Sequence, residues 1–100
     1  MKQALRIPLN KLLSPKANLD LKKRGREAFT DLIQSFRSNS KCEPITVCPG
    51  LHDTYYIQDG VHRAKAAQLA GKTEIDAIVY SDSKPTGQHT KLENVKVDMF

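Results

Sequence analysis

The stretch Tyr55-Tyr56-Ile57-Gln58-Asp59-Gly60-Val61-His62-Arg63-Ala64 decides the reading of the chain, because its pattern changes at the glycine. Before Gly60 the residues are aromatic and β-branched, which predicts a strand over 54–58. After it comes the Ala-rich run 61–70, which predicts a helix closed by Gly71 at C′. A strand that turns through glycine into a helix exposes unpaired backbone N–H groups and the positive end of the helix dipole. Glycine has no Cβ, so an anion can come close to the backbone. Arg63 adds a planar, permanently charged fork within the first turn. Gly60, the backbone of Val61 and His62, and the Arg63 guanidinium therefore compose a candidate phosphate cradle.

Working outward, Pro44 starts a strand at Ile45-Thr46-Val47, and Pro49-Gly50 turns it into a hairpin with the strand before Gly60. Residues 73–80 place Ile75, Ala77 and Val79 on one face of a further strand. In 26–38 the residues Ala28, Phe29, Leu32, Ile33 and Phe36 form the apolar stripe of an amphipathic helix, ended by Ser38-Asn39-Ser40. A short strand is expected over 4–9, with Pro8 marking a sheet edge or strand end. Residues 10–25 read as a Lys-rich loop and 81–90 as a polar loop. Alternation over 92–97 suggests a last strand of the same domain.

The chain has 100 residues, 39% hydrophobic and 27% charged, which fits one folded domain and argues against disorder. No apolar run is long enough to cross a bilayer, and the first residues lack the unbroken apolar core of a secretory signal. Two cysteines point to free thiols in a reducing, cytoplasmic setting. The formal charge of +5 is unevenly spread. Residues 1–41 carry ten Lys or Arg against three Asp or Glu, and residues 42–100 carry six against eight. The positive charge is densest at Lys22, Lys23, Arg24 and Arg26, which would meet nucleic acid such as DNA, a nucleotide or an acidic partner, or remain a solvated loop before a helix.

The order of these elements, with Glu43-Pro44-Ile45-Thr46-Val47, a hairpin, and then 59–80 (DGVHRAKAAQLAGKTEIDAIVY), resembles the ParB/sulfiredoxin superfamily. The resemblance covers about residues 4–80. It implies an α+β fold, a small mixed sheet packed with two main helices, and a turn that binds the phosphates of ATP, CTP or another nucleoside triphosphate. Sulfiredoxins carry Gly-Cys-His-Arg at this turn, whereas Val61 stands at the cysteine position and supplies no nucleophile. ParB partition proteins carry a Gly-Glu-Arg-Arg type turn, bind CTP and continue into a helix-turn-helix domain. That domain does not follow here, so sequence-specific DNA reading is not expected. A third branch carries Asp-Gly-x-x-Arg and includes a free-serine kinase, nucleases and toxin-like modules. Asp59-Gly60-Val61-His62-Arg63 is most similar to this branch.

Several roles stay open at this point. Asp59 would ligate Mg²⁺ bridging the phosphates, act as a base, or simply cap the helix. His62 would donate a hydrogen bond or move a proton, or else be a half-buried residue bonded to a neighbouring strand. Arg63 would hold phosphate oxygens or sit in a surface ion pair. Glu43 would face the same turn or be solvated. Nucleotide hydrolysis or phosphoryl transfer through Asp59 and His62 is one outcome, a DNA-binding or nuclease module a second, and a non-catalytic interaction module a third. Cys42, Cys48 and His52 lack zinc-site spacing. Tyr55 and Tyr56 point to opposite sheet faces, one to the core and one free to stack on a base.

Overall fold

Period-two burial along the strands assembles one inner face, which the helix at Val61–Leu69 covers, with the helix at Lys23–Arg37 packed on it in turn. The computed structural model describes residues 2–83 and 87–99. In chain order the elements are β1 (Lys2–Pro8), β2 (Leu12–Ser14), β3 (Asn18–Leu21), α1 (Lys23–Arg37), β4 (Ile45–Pro49), β5 (Tyr55–Asp59), α2 (Val61–Leu69), β6 (Glu74–Tyr80), β7 (Thr90–Lys91) and β8 (Lys96–Met99). Short 3₁₀ turns lie at Leu9–Lys11 and Leu92–Asn94. The fold is the α+β arrangement expected, a mixed six-stranded sheet in the order β1-β6-β4-β5-β2-β7 with two helices. β3 and β8 pair in parallel as a separate two-stranded sheet. β1 is an edge strand, as Pro8 implied.

The hairpin of β4 and β5 is antiparallel, with the register shifting between Thr46 and Val47. Val47 and Ile57 face each other across it and are both buried. β6 runs parallel to β4 and antiparallel to β1. This places Ile75, Ala77 and Val79 in the same core as Ile7, Ile45 and Leu12.

α2 lies between the sheet and α1, which its alanines make possible by letting both neighbours approach closely. Val61, Ala64 and Ala67 join the sheet-side core, while Ala66 packs with Leu21 and Phe29 against α1. Gly71, with φ of 85°, closes α2. Its N–H donates to the Gln68 carbonyl and that of Lys72 to Ala67, the paired bonds of a Schellman ending. On α1, Phe29, Leu32, Ile33 and Phe36 form the packed stripe, but Ala28 is exposed.

Residues 10–25 are not one loop: they hold a 3₁₀ turn, β2 and β3, and α1 begins at Lys23. These short strands gain their stability from distant partners, β2 from β5 and β7 and β3 from β8, and no local pattern announces such pairing. The segment expected as a strand over 92–97 is instead a 3₁₀ turn followed by β8. Part of the polar loop expected over 81–90, residues 84–86, falls outside the described residues. Among the described residues, no helix is long and apolar enough to cross a membrane.

Candidate functional site

β5 delivers the chain to Gly60 in a left-handed conformation, φ 104°. A Cβ at this position would lie 2.6 Å from Cγ2 of Ile45, so glycine is required both by the backbone and by the neighbouring strand. Gly60 is the N-cap of α2, and its carbonyl accepts the first helical bond from Ala64 N–H at 2.9 Å. The N–H groups of Val61, His62 and Arg63 precede that bond and have no partner within the helix. No side chain caps this helix start, and no acidic residue lies in its first turn. Val61 turns its side chain into the core and so contributes only backbone to the turn.

Arg63 is where the carboxylates converge. Its Nη1 donates to Glu43 Oε2 at 3.2 Å and its Nη2 to Asp59 Oδ2 at 3.3 Å. The Arg63 side chain is only 19% exposed, against 89% for Glu43 and 79% for Asp59. Asp59 is therefore turned toward Arg63 and does not serve as a hydrogen-bonded cap. Glu43, just before β4, faces the same turn.

His62 is solvent-exposed on the first turn of α2. Its pKa lies below the ordinary 6.5, first because the charged ring loses solvation and second because Lys16 is positive nearby. Lys16 was not among the residues singled out from sequence. A buried serine holds its segment: Ser14 Oγ donates to the Lys16 carbonyl at 2.7 Å and accepts from the Lys16 N–H at 3.0 Å. The Ser14-Pro15-Lys16 turn is legible locally as a bend, but its closeness to His62 is not.

Lys65 lies one turn further along α2 and is buried, at 6% exposure. Its Nζ donates to Gln68 Oε1 at 2.7 Å and to the Leu92 carbonyl at 3.1 Å, tying α2 to the 3₁₀ turn before β8. Loss of solvation lowers its pKa, and Glu93 partly restores it. Of the two tyrosines, Tyr55 packs on the core. Tyr56 makes an edge contact with His89, ring centres 4.3 Å apart, and its ring covers Gly50.

The structure thus gathers Asp59, Gly60, Val61, His62 and Arg63 at one turn and adds Glu43 to it. Lys22, Lys23, Arg24 and Arg26 belong to another element. Lys22 is the N-cap of α1 and the other three lie in its first turn, where no acidic residue offsets them. A groove of about 720 Å³ runs along Leu5, Phe36, Cys42, Glu43, Lys72 and Ile75 and meets the turn through Glu43. Among the described residues, no three of His, Cys, Asp or Glu converge to hold a metal ion. An Mg²⁺ on Asp59 would therefore draw its remaining oxygens from phosphate and water.

Comparison with known proteins adds three likenesses. A probable plasmid-partitioning protein ParB of Deinococcus radiodurans is 44% identical over 57 residues, which are 57% of this chain and 19% of that protein. The C-terminally truncated chromosome-partitioning protein ParB of Caulobacter crescentus, crystallised with CTP-γ-S, superposes with a TM-score of 0.60 at 23% identity. That superposition covers 82% of this chain and 46% of the Caulobacter chain. Sulfiredoxin from Arabidopsis thaliana superposes with a TM-score of 0.56 at 24% identity, over 79% of this chain and 85% of that one. At these identities the structural likenesses show the shared fold. The chain spans about a fifth of the curated relative and under half of the Caulobacter chain. The ParB N-terminal domain model matches residues 2–95, nearly the whole chain, and the chain belongs to that family.

Proposed function

We propose that this domain binds a nucleoside triphosphate, with CTP first among the candidates, by seating its phosphates on the start of α2. The observation that carries the reading is the uncapped helix start at a left-handed Gly60 with a guanidinium beside it. Free N–H groups of Val61 and His62 and the helix dipole favour an anion there. Arg63 supplies charge-assisted bonds to phosphate oxygens. Lys16 adds positive charge on the side where it already acts on His62. His62, held neutral near pH 7, offers a hydrogen-bond donor or a group that takes up a proton. Asp59 is the one carboxylate of the turn itself, and with phosphate oxygens it would hold Mg²⁺. CTP is placed first because the Caulobacter ParB was crystallised with CTP-γ-S. ATP, hydrolysis and phosphoryl transfer are further outcomes of the same geometry.

Titration calorimetry of the purified domain with the four ribonucleoside triphosphates, with and without Mg²⁺, tests the reading. Saturable binding of CTP supports it, and preference for ATP would redirect it toward phosphoryl transfer. Absence of binding by all four would overturn it.

A second reading concerns DNA. Lys22, Lys23, Arg24 and Arg26 crowd the start of α1, where the helix dipole is also positive, so their placement opposes helix stability and favours an anionic partner. The Deinococcus relative is a probable plasmid-partitioning protein, which suits such a partner. Replacing all four by glutamine should remove non-specific DNA binding and its steep salt dependence. Binding that persists in that variant would assign the contact elsewhere.

A further inference from the structure

We propose that Glu43 and Asp59 form an anionic latch on Arg63, which must open before the α2 start accepts phosphate. The inference rests on the nucleotide reading above and concerns how that site is regulated. Arg63 brings the guanidinium to the turn, yet each terminal nitrogen of its fork is engaged, Nη1 by Glu43 and Nη2 by Asp59. An arriving phosphate must therefore displace a carboxylate before it can take those two positions on the fork.

The difference in exposure identifies which partner moves. Arg63 is four-fifths covered and lies over Gly60, with Nη2 3.1 Å from the position a Cβ would take. Both carboxylates stand mostly in water, and each can rotate away while remaining solvated. They also come from different sides, Glu43 from the segment before β4 and Asp59 from the end of β5. A phosphate can displace one and leave the other in place. Exposed ion pairs are individually weak, so the latch sets a threshold for binding and does not abolish it.

The test is CTP titration in EDTA, so that any metal role of Asp59 is absent, on the wild type, Glu43→Gln, Asp59→Asn and the double variant. Each amide retains the shape of the side chain and removes its charge. Each single change should tighten binding about two- to five-fold, and the pair roughly ten-fold. In an Arg63→Ala background, followed by NMR at millimolar nucleotide, the gains should disappear, because the carboxylates then have no guanidinium to occupy. Gains that survive there would mean general charge repulsion and would overturn the latch. If the wild type binds CTP and the amide variants bind no better, the latch fails and the nucleotide reading stands. If no variant binds with or without Mg²⁺, the nucleotide reading fails and the latch with it. Thermal unfolding of each variant confirms that the comparison is between folded proteins.

Discussion

The guanidinium of Arg63 occupies the space beside Gly60 that a side chain there would need: Nη2 stands 3.1 Å from where a Cβ would lie, and Ile45 Cγ2 is closer still at 2.6 Å. The turn is thus shaped by the absence of one methyl group. Gly60→Ala should lower stability by about 2–4 kcal/mol, combining left-handed strain with overpacking of the β4 core. Urea unfolding reads this directly. Loss of nucleotide binding in such a variant would follow from the fold, whereas Arg63→Ala probes binding with the turn retained. An unchanged midpoint for Gly60→Ala would show that the chain has another way through the turn.

His62 gives the site a dependence on pH whose sign is fixed by its surroundings. Loss of solvation on folding, then Lys16, lower its folded-state pKa below 6.5. Between the folded and unfolded values the unfolded chain binds more protons, so stability from this residue is lost as pH falls below 6.5 toward the folded value. NMR titration should give a His62 midpoint below that of a free histidine. Lys16→Gln should raise the midpoint only in part, since desolvation is the larger cause. A midpoint at or above 6.5 in the wild type would contradict this picture.

Lys65 is the clearest case of a residue whose role the sequence conceals. A lysine in an Ala-rich helix reads as solvated, but its stem packs within the core while its ammonium meets the Leu92 carbonyl, 27 residues away. Lys65→Ala should cost about 1–3 kcal/mol by removing the charge-assisted bond to that carbonyl, which keeps its bond from Val95 N–H, together with the packing of the stem. Hydrogen exchange should rise in the 3₁₀ turn at Leu92–Asn94 more than in β4. Uniform exchange across the two would remove the proposed tie.

What was legible in the sequence follows from range. Tyr55 to Arg63 was readable because a strand, a glycine and a helix succeed one another within ten residues, each with its own local signature. Gly71 was readable for the same reason. β2 and β3 were not, and of β8 only the start fell within the strand expected over 92–97, because a three- or four-residue strand takes its identity from a partner far along the chain. Asp59 and Arg63, four apart, could be foreseen as neighbours, yet Glu43 reaches Arg63 only because β4 and β5 form a hairpin. Lys16 entered the site through a serine turn that reads, taken alone, as ordinary loop chemistry.

Whether phosphate sits on the start of α2 is decided by the backbone ¹H–¹⁵N NMR spectrum of the folded domain titrated with CTP and Mg²⁺. The amides of Gly60, Val61, His62 and Arg63 should shift saturably and together, downfield as their N–H groups donate to phosphate. The Arg63→Ala variant should need roughly ten- to a hundred-fold more nucleotide to reach the same shift. Saturable shifts confined to the groove of Leu5, Phe36 and Ile75, with the four amides unmoved, would contradict the phosphate seat at Gly60.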